Sequence, residues 1–225
     1  FKSNGIVVGD TVIKPSHNVR NLGVSFDTQM NMESQITSVC KSAYYMIYNL
    51  RRIRKYFDED SMKTVVHACI ISKLDYCNSL LYGLPHSQIG KLQRVQNICA
   101  RLIFNMSKFS HVTPLLKELH WLPVHLRIEF KMLMIVYKAL NDQAPVYLIE
   151  LLNFRFHTHG HNLRSVQDTL ALQIPHIKTK VTLGDRSFLC AAPRLWNKLP
   201  LDIRKSQSLE SFKVKVKTHL FLTQI

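Results

Sequence analysis

Hydrophobic positions in this chain first alternate in short runs and then settle into helical spacing. Ile6, Val7 and Val8, followed by Val12 and Ile13, flank Gly9-Asp10, a pair able to take left-handed backbone angles. That pattern predicts a β-hairpin over 5–8 and 11–14. Val19 to Phe26 reads as a third strand broken by Gly23, and a lone glycine in a strand often marks close approach of another backbone or a ligand. From residue 31 the period changes. Met32, Ile36, Val39, Ala43, Met46, Leu50, Ile53 and Phe57 recur by threes and fours, which predicts a helix over 31–56, about 40 Å long.

A second helix is predicted from Asp58-Glu59-Asp60, acids suited to the positive end of a helix dipole. Its apolar side is Met62, Val65, Val66, Cys69, Ile70, Leu74, Cys77, Leu80 and Leu81, and Gly83 with Pro85 ends it. A third opens at Pro85 or Ser87 and turns Ile89, Leu92, Val95, Cys99, Leu102 and Met106 inward. Thr113-Pro114 predicts a short helix to His120. Pro123 precedes a helix over 124–140, and Pro145 starts a short helical piece ending at Leu152. Beyond 153 the character changes. His157, His159 and His161 punctuate a polar loop, read as solvated because no cysteine or acid completes a metal shell around them. Leu170, Leu172 and Ile174 alternate like a strand ended by Pro175, with Lys178–Leu183 as the candidate partner and Gly184-Asp185 as a turn. A last helix is predicted over 209–221, capped by Ser208. The fold class is therefore mainly α with a small β part, in three regions: 1–29, 30–153 and 154–225.

Composition adds a strong electrostatic bias. Thirty Lys and Arg stand against 15 Asp and Glu among 225 residues, a net charge of +15. Such a field attracts polyanions, chiefly nucleic acid or an anionic membrane face, and charge alone does not choose between them. The longest clean apolar run, Met132 to Tyr137, is far too short to span a bilayer; the expected partner is nucleic acid, with no membrane partner. The five cysteines include no Cys-x-x-Cys pair. Reduced thiols in an intracellular protein fit this best, and no zinc knuckle is visible.

The basic residues are patterned. Off the seam of the third helix lie Lys91, Arg94, Arg101 and Lys108, whose spacings of three, seven and seven keep them near one line. The first helix contributes Lys41, Arg51, Arg52, Arg54 and Lys55. Rows of this kind hold phosphates without reading bases. Tyr44, Tyr45 and Tyr48 lie near the first seam and are read as core or rim packing, with base stacking the lesser alternative. Trp121 and Trp196, each beside Leu and Pro, are read as packing anchors that fix a chain reversal.

Five phrases follow one another in order: Arg20-Asn21-Leu22-Gly23-Val24-Ser25-Phe26-Asp27; Ser72-Lys73-Leu74-Asp75-Tyr76-Cys77-Asn78; Leu92-Gln93-Arg94-Val95-Gln96-Asn97; Leu119-His120-Trp121-Leu122-Pro123-Val124; and Ala192-Pro193-Arg194-Leu195-Trp196-Asn197-Lys198-Leu199-Pro200. Together they resemble the C-terminal part of the reverse transcriptase of a non-LTR (LINE-type, jockey-like) retrotransposon. The resemblance covers nearly the whole chain and falls after the polymerase active site. It implies end-of-palm strands over 1–29, a helical thumb-like bundle with its following helices over 30–153, and a mixed C-terminal region over 154–225. It also implies that Leu22 and Gly23 resemble a primer grip, and that the basic rows press on an RNA–DNA hybrid by shape and backbone.

The implied partners are an RNA template, a DNA primer and the N-terminal palm and fingers that precede such a segment. A first residue of Phe instead of Met agrees with that expectation. The nucleus and cytoplasm are the implied locations. The parent polymerase uses Mg2+ between paired carboxylates, but no Asp-Asp pair occurs in this chain. The segment is thus expected to hold no cofactor and to extend no primer by itself. The competing expectation is a non-enzymatic helical scaffold derived from a decayed or co-opted element.

Overall fold

The computed structural model describes residues 5–154, 170–175 and 182–224. Strands β1 (Ile6–Val8) and β2 (Thr11–Ile13) pair antiparallel, with Val7 opposite Val12, around the predicted Gly9-Asp10 turn. The predicted third strand is instead a second hairpin. β3 (Asn18–Asn21) pairs with β4 (Val24–Asp27), Asn21 opposite Val24, and Leu22-Gly23 is the two-residue turn between them. Both turn residues are left-handed, φ 47° at Leu22 and 81° at Gly23, as a tight hairpin matched to strand twist requires. The glycine therefore serves backbone conformation, and a Cβ there would meet only Tyr76 Cε1, at 3.9 Å. Gly23→Ala should cost about 1 kcal/mol in a urea melt, since the strain is in φ alone.

Helix α1 (Glu33–Ile53) buries Ile36, Cys40, Ala43, Ile47 and Leu50, close to the predicted seam, and ends in a tight turn over Arg54–Tyr56. Asp58 caps α2 (Glu59–Val66) by accepting the Ser61 N–H at 2.8 Å, and these bonds from Ser61 hold its carboxyl below the usual range. The predicted second helix does not run unbroken to 81. It widens into a π turn over His67–Ile71, resumes as α3 (Ser72–Asp75), and breaks where Cys77 turns left-handed (φ 52°). A single 3-10 turn, Asn78–Leu81, then leads to α4 (His86–Ile103).

α5 (Thr113–Glu118) and α6 (Val124–Leu140) follow where predicted, except that Thr113 is the first helical residue and not a cap, Val112 holding the N-cap position; α7 (Val146–Ile149) comes next. Pro85, Pro123 and Pro145 stand at the N-caps of α4, α6 and α7. In each case the proline carbonyl, held extended, accepts a backbone N–H from the first turn.

The C-terminal region departs further from expectation. Among the described residues, Leu170–Ile174 takes part in a single bridge, Leu172 to Phe154. Asn197 bonds both the N–H and the carbonyl of Leu172, each at 2.8 Å. Of the candidate partner strand, 178–181 lie outside the described residues, as do the histidines of 157–161, and Thr182 opens helix α8 (Thr182–Arg186). Gly184-Asp185 is thus helical, not a turn. The Ala192–Pro200 phrase builds α9 (Phe188–Lys198), with Pro193 inside it. α10 (Leu201–Arg204) and α11 (Leu209–Gln224) complete the chain, and Ser208 Oγ accepts the Ser211 N–H at 3.2 Å, as expected of a cap.

Two hydrophobic clusters result. The first joins Val24 with α1 to α5 and the start of α6, through Val124 and Ile128. The second joins the rest of α6 to α9 and α11, where Tyr137 stacks on Phe212 at 4.3 Å and Trp196 lies 5.7 Å from it. α6 therefore supplies both, and Leu152 and Leu172 share the second cluster. Trp196 lies within α9, where its Nε1–H donates to the Leu170 carbonyl, while Trp121 does sit in the reversal between α5 and α6.

Hydrogen bonds and an ion pair tie the first four phrases to one another. Tyr76 Oη donates to the Leu22 carbonyl at 2.7 Å, tying the first to the second. Gln96 Nε2 donates to the Leu122 carbonyl, and Gln93 Oε1 accepts the Val124 N–H, tying the third to the fourth. Arg127, just past the fourth, makes a two-point ion pair with Asp75 of the second.

Candidate nucleic-acid interface

α1 and α4 pack side by side and run in the same direction. Glu33 at the start of α1 meets Lys91 Nζ at 3.5 Å, and Arg54 just past its end reaches the last carbonyls of α4. α1 carries one acid, Glu33, and α4 none, whereas the two together carry Lys41, Arg51, Arg52, Lys91, Arg94 and Arg101. Helical residues advance about 100° each. On that wheel Lys41, Tyr45, Tyr48 and Arg52 fall within one narrow stripe, opposite Ile36, Ala43, Ile47 and Leu50. The stripe alternates cation, aromatic, aromatic, cation over about 16 Å, the rise of about five nucleotides of one strand.

Both tyrosines are solvent-exposed, Tyr45 at 68% and Tyr48 at 62%, and Tyr44 at 42% lies toward the rim. This overturns core packing for Tyr45 and Tyr48. The Arg52 guanidinium lies 6.0 Å from the Tyr48 ring, and Lys55 Nζ 4.9 Å from the exposed Tyr56 ring. Such pairs present a charged, flat surface to solvent.

The α4 cations approach the same surface from one flank. Burial pushes the Cys40 thiol of α1 up, and the nearby charges of Lys91 and Arg94 oppose the shift. Cys99 of α4 is pushed up to about 12 by burial, with Arg51 of α1 opposing. Lys91 and Arg94 thus lie within electrostatic reach of α1, and Arg51 within reach of α4. On the other flank Lys73 donates to Ser42 Oγ at 2.9 Å.

Three predicted site residues are placed differently. Arg54 does not face outward: Nε donates to the Leu102 carbonyl at 2.8 Å, Nη2 to Ile103 at 2.7 Å and Nη1 to Phe57 at 2.6 Å. It caps the C-terminus of α4, whose last carbonyls have no partner within the helix. Arg101 is half-buried, its Nε donating to the Ser110 carbonyl at 3.0 Å. Lys108 is not on the α4 line at all, because the helix ends at Ile103; its Nζ sits over the Phe109 ring. Leu22, 83% exposed, forms its hairpin turn with Gly23 on the α3 side of α1. Lys41, Arg51, Arg52, Lys55 and Arg94 remain exposed.

Among the described residues no three His, Cys, Asp or Glu stand together where they could hold a metal. Among those residues, too, no helix is long and apolar enough to cross a membrane. No protein-family model, curated protein or solved structure matches the chain.

Proposed function

We propose that this chain is the duplex-gripping C-terminal part of an RNA-directed DNA polymerase of the non-LTR retrotransposon kind, and that α1 and α4 form its thumb-like contact with template and primer. The observation that carries the reading is the outer face of α1, where Lys41, Tyr45, Tyr48 and Arg52 stand in one acid-free stripe flanked by Arg51 and Arg94. Lysine and arginine neutralise phosphates whatever the sequence, and tyrosines offer ring faces to bases or sugars. The hairpin β1–β2 supports the further partner. Ile6, Val7, Val8, Val12 and Ile13 are all more than half exposed, apolar on both faces of an open-edged ribbon. Such a surface suits burial against a preceding palm.

That hairpin, together with Lys91 and Arg54 being held by protein groups, is also what a protein-binding scaffold would show. Salt separates the readings. Binding of an RNA–DNA hybrid, followed by fluorescence anisotropy, should weaken by about 0.7–0.9 log units per log unit of salt for each phosphate contacted. A steep dependence, equal across sequences, is the expected result. Affinity that stays flat between low and physiological salt would favour the scaffold.

A further inference from the structure

A second cationic site lies away from the α1 stripe, in a cavity of about 410 Å3 between the π turn of α2, the α5–α6 reversal, α6 and α11. Its volume falls in the range of small-molecule pockets, about 300–1,000 Å3, and well above the need of a bare phosphate. α6 contributes Arg127 and Lys131, and α11 contributes Lys213 and Lys217. Each pair is four residues apart, so each helix turns both cations to one face. His67 and His120 add two imidazoles at the margin. The acid in the lining, Asp75, is already engaged by Arg127. Glu210 meets Lys213 at 3.6 Å, but both side chains are largely solvated, so that pair offsets little.

The cations therefore crowd a partly apolar cavity with too few counter-charges. Lys217 is an exposed position, yet partial desolvation, and then the charges of Arg127 and Lys213, draw its ammonium below the usual lysine range. Trp121 and Phe130 add aromatic surface to the lining. The cavity thus offers cations together with ring faces on which a base could stack.

We infer that this cavity binds a phosphate-bearing ligand of nucleotide size, with Lys131, Lys213 and Lys217 on the phosphate and the base against Trp121 and Phe130. The ligand is either a free mononucleotide or the 5′-phosphorylated end of a strand, which present the same chemistry. The site involves none of the α1 or α4 cations, so it stands or falls independently of the duplex-gripping face.

Isothermal titration of the whole chain with adenosine 5′-monophosphate tests it, with adenosine as the uncharged control. Saturable binding of the monophosphate is expected, with adenosine at least roughly tenfold weaker. Lys213→Gln with Lys217→Gln, both exposed positions that should leave folding intact, is expected to weaken it by roughly tenfold or more. Lys41→Gln with Arg52→Gln is expected to leave it unchanged. Preference for a 5′-phosphorylated over a 5′-hydroxyl oligonucleotide would assign the ligand to strand ends, and equal binding of the two would assign it to free nucleotide. No saturable binding at millimolar monophosphate, or binding undiminished in the Lys213/Lys217 variant, would overturn the inference.

Discussion

Reversing charge at Lys41, Arg52 and Arg94 together, each to Glu, is expected to weaken RNA–DNA hybrid binding on the order of 100-fold at physiological salt. The slope of log affinity against log salt should fall by about 2–3, one contact's worth for each residue changed. The loss should be the same for every sequence tested, because these side chains would meet phosphates and not base edges. The decisive comparison is a second triple variant, Lys138→Glu on α6, Lys198→Glu at the end of α9 and Lys205→Glu just past α10. It changes the net charge identically. If both triples weaken binding alike, attraction is a property of the whole +15 chain and the α1 stripe is not a site. If only the first does so, position decides.

Arg54→Ala is expected to lower folding stability by about 2–4 kcal/mol, read as a fall in the urea midpoint with an unchanged slope. The change removes a charged donor from three carbonyls at once, two of them at the end of α4, and loosens the joint that holds the ends of α1 and α4 together. Arg52→Ala, two residues earlier and exposed, should stay within about 0.5 kcal/mol of the parent. If Arg54 instead behaved like Arg52, its three bonds would be incidental, and it would return to the set of cations open to phosphate.

The contrast between these two arginines shows how far the chain could be read without its fold. Helix positions and their buried faces were legible, because a period of three to four apolar residues is a local property that burial rewards directly. The α1 stripe was equally legible in principle. Angular spacing alone sets Tyr45 and Tyr48 opposite the seam, and proximity in sequence to seam residues concealed it. The Leu22-Gly23 turn was missed because an alternating run with one glycine reads equally well as a broken strand or a hairpin, and pairing settles the choice. The α9 helix was hidden by Pro193 and by the cluster of Pro and Trp, local signs of a loop that the packing of Trp196 against Phe212 overrides.

The sequence by itself determined the helical class, the proline-started helices, the two apolar hairpin runs and the excess of cations on α1 and α4. Tertiary structure decided which of those cations remain open to a ligand. Arg54 and Arg52 are the same residue type one half-turn apart, and only the arrival of the α4 carbonyls beside one of them distinguishes a cap from a surface charge. It also brought Lys131 of α6 to Lys213 and Lys217 of α11 around one cavity, more than eighty positions apart in the chain. No local pattern encodes such a meeting, since it depends on two helices burying their apolar faces against each other.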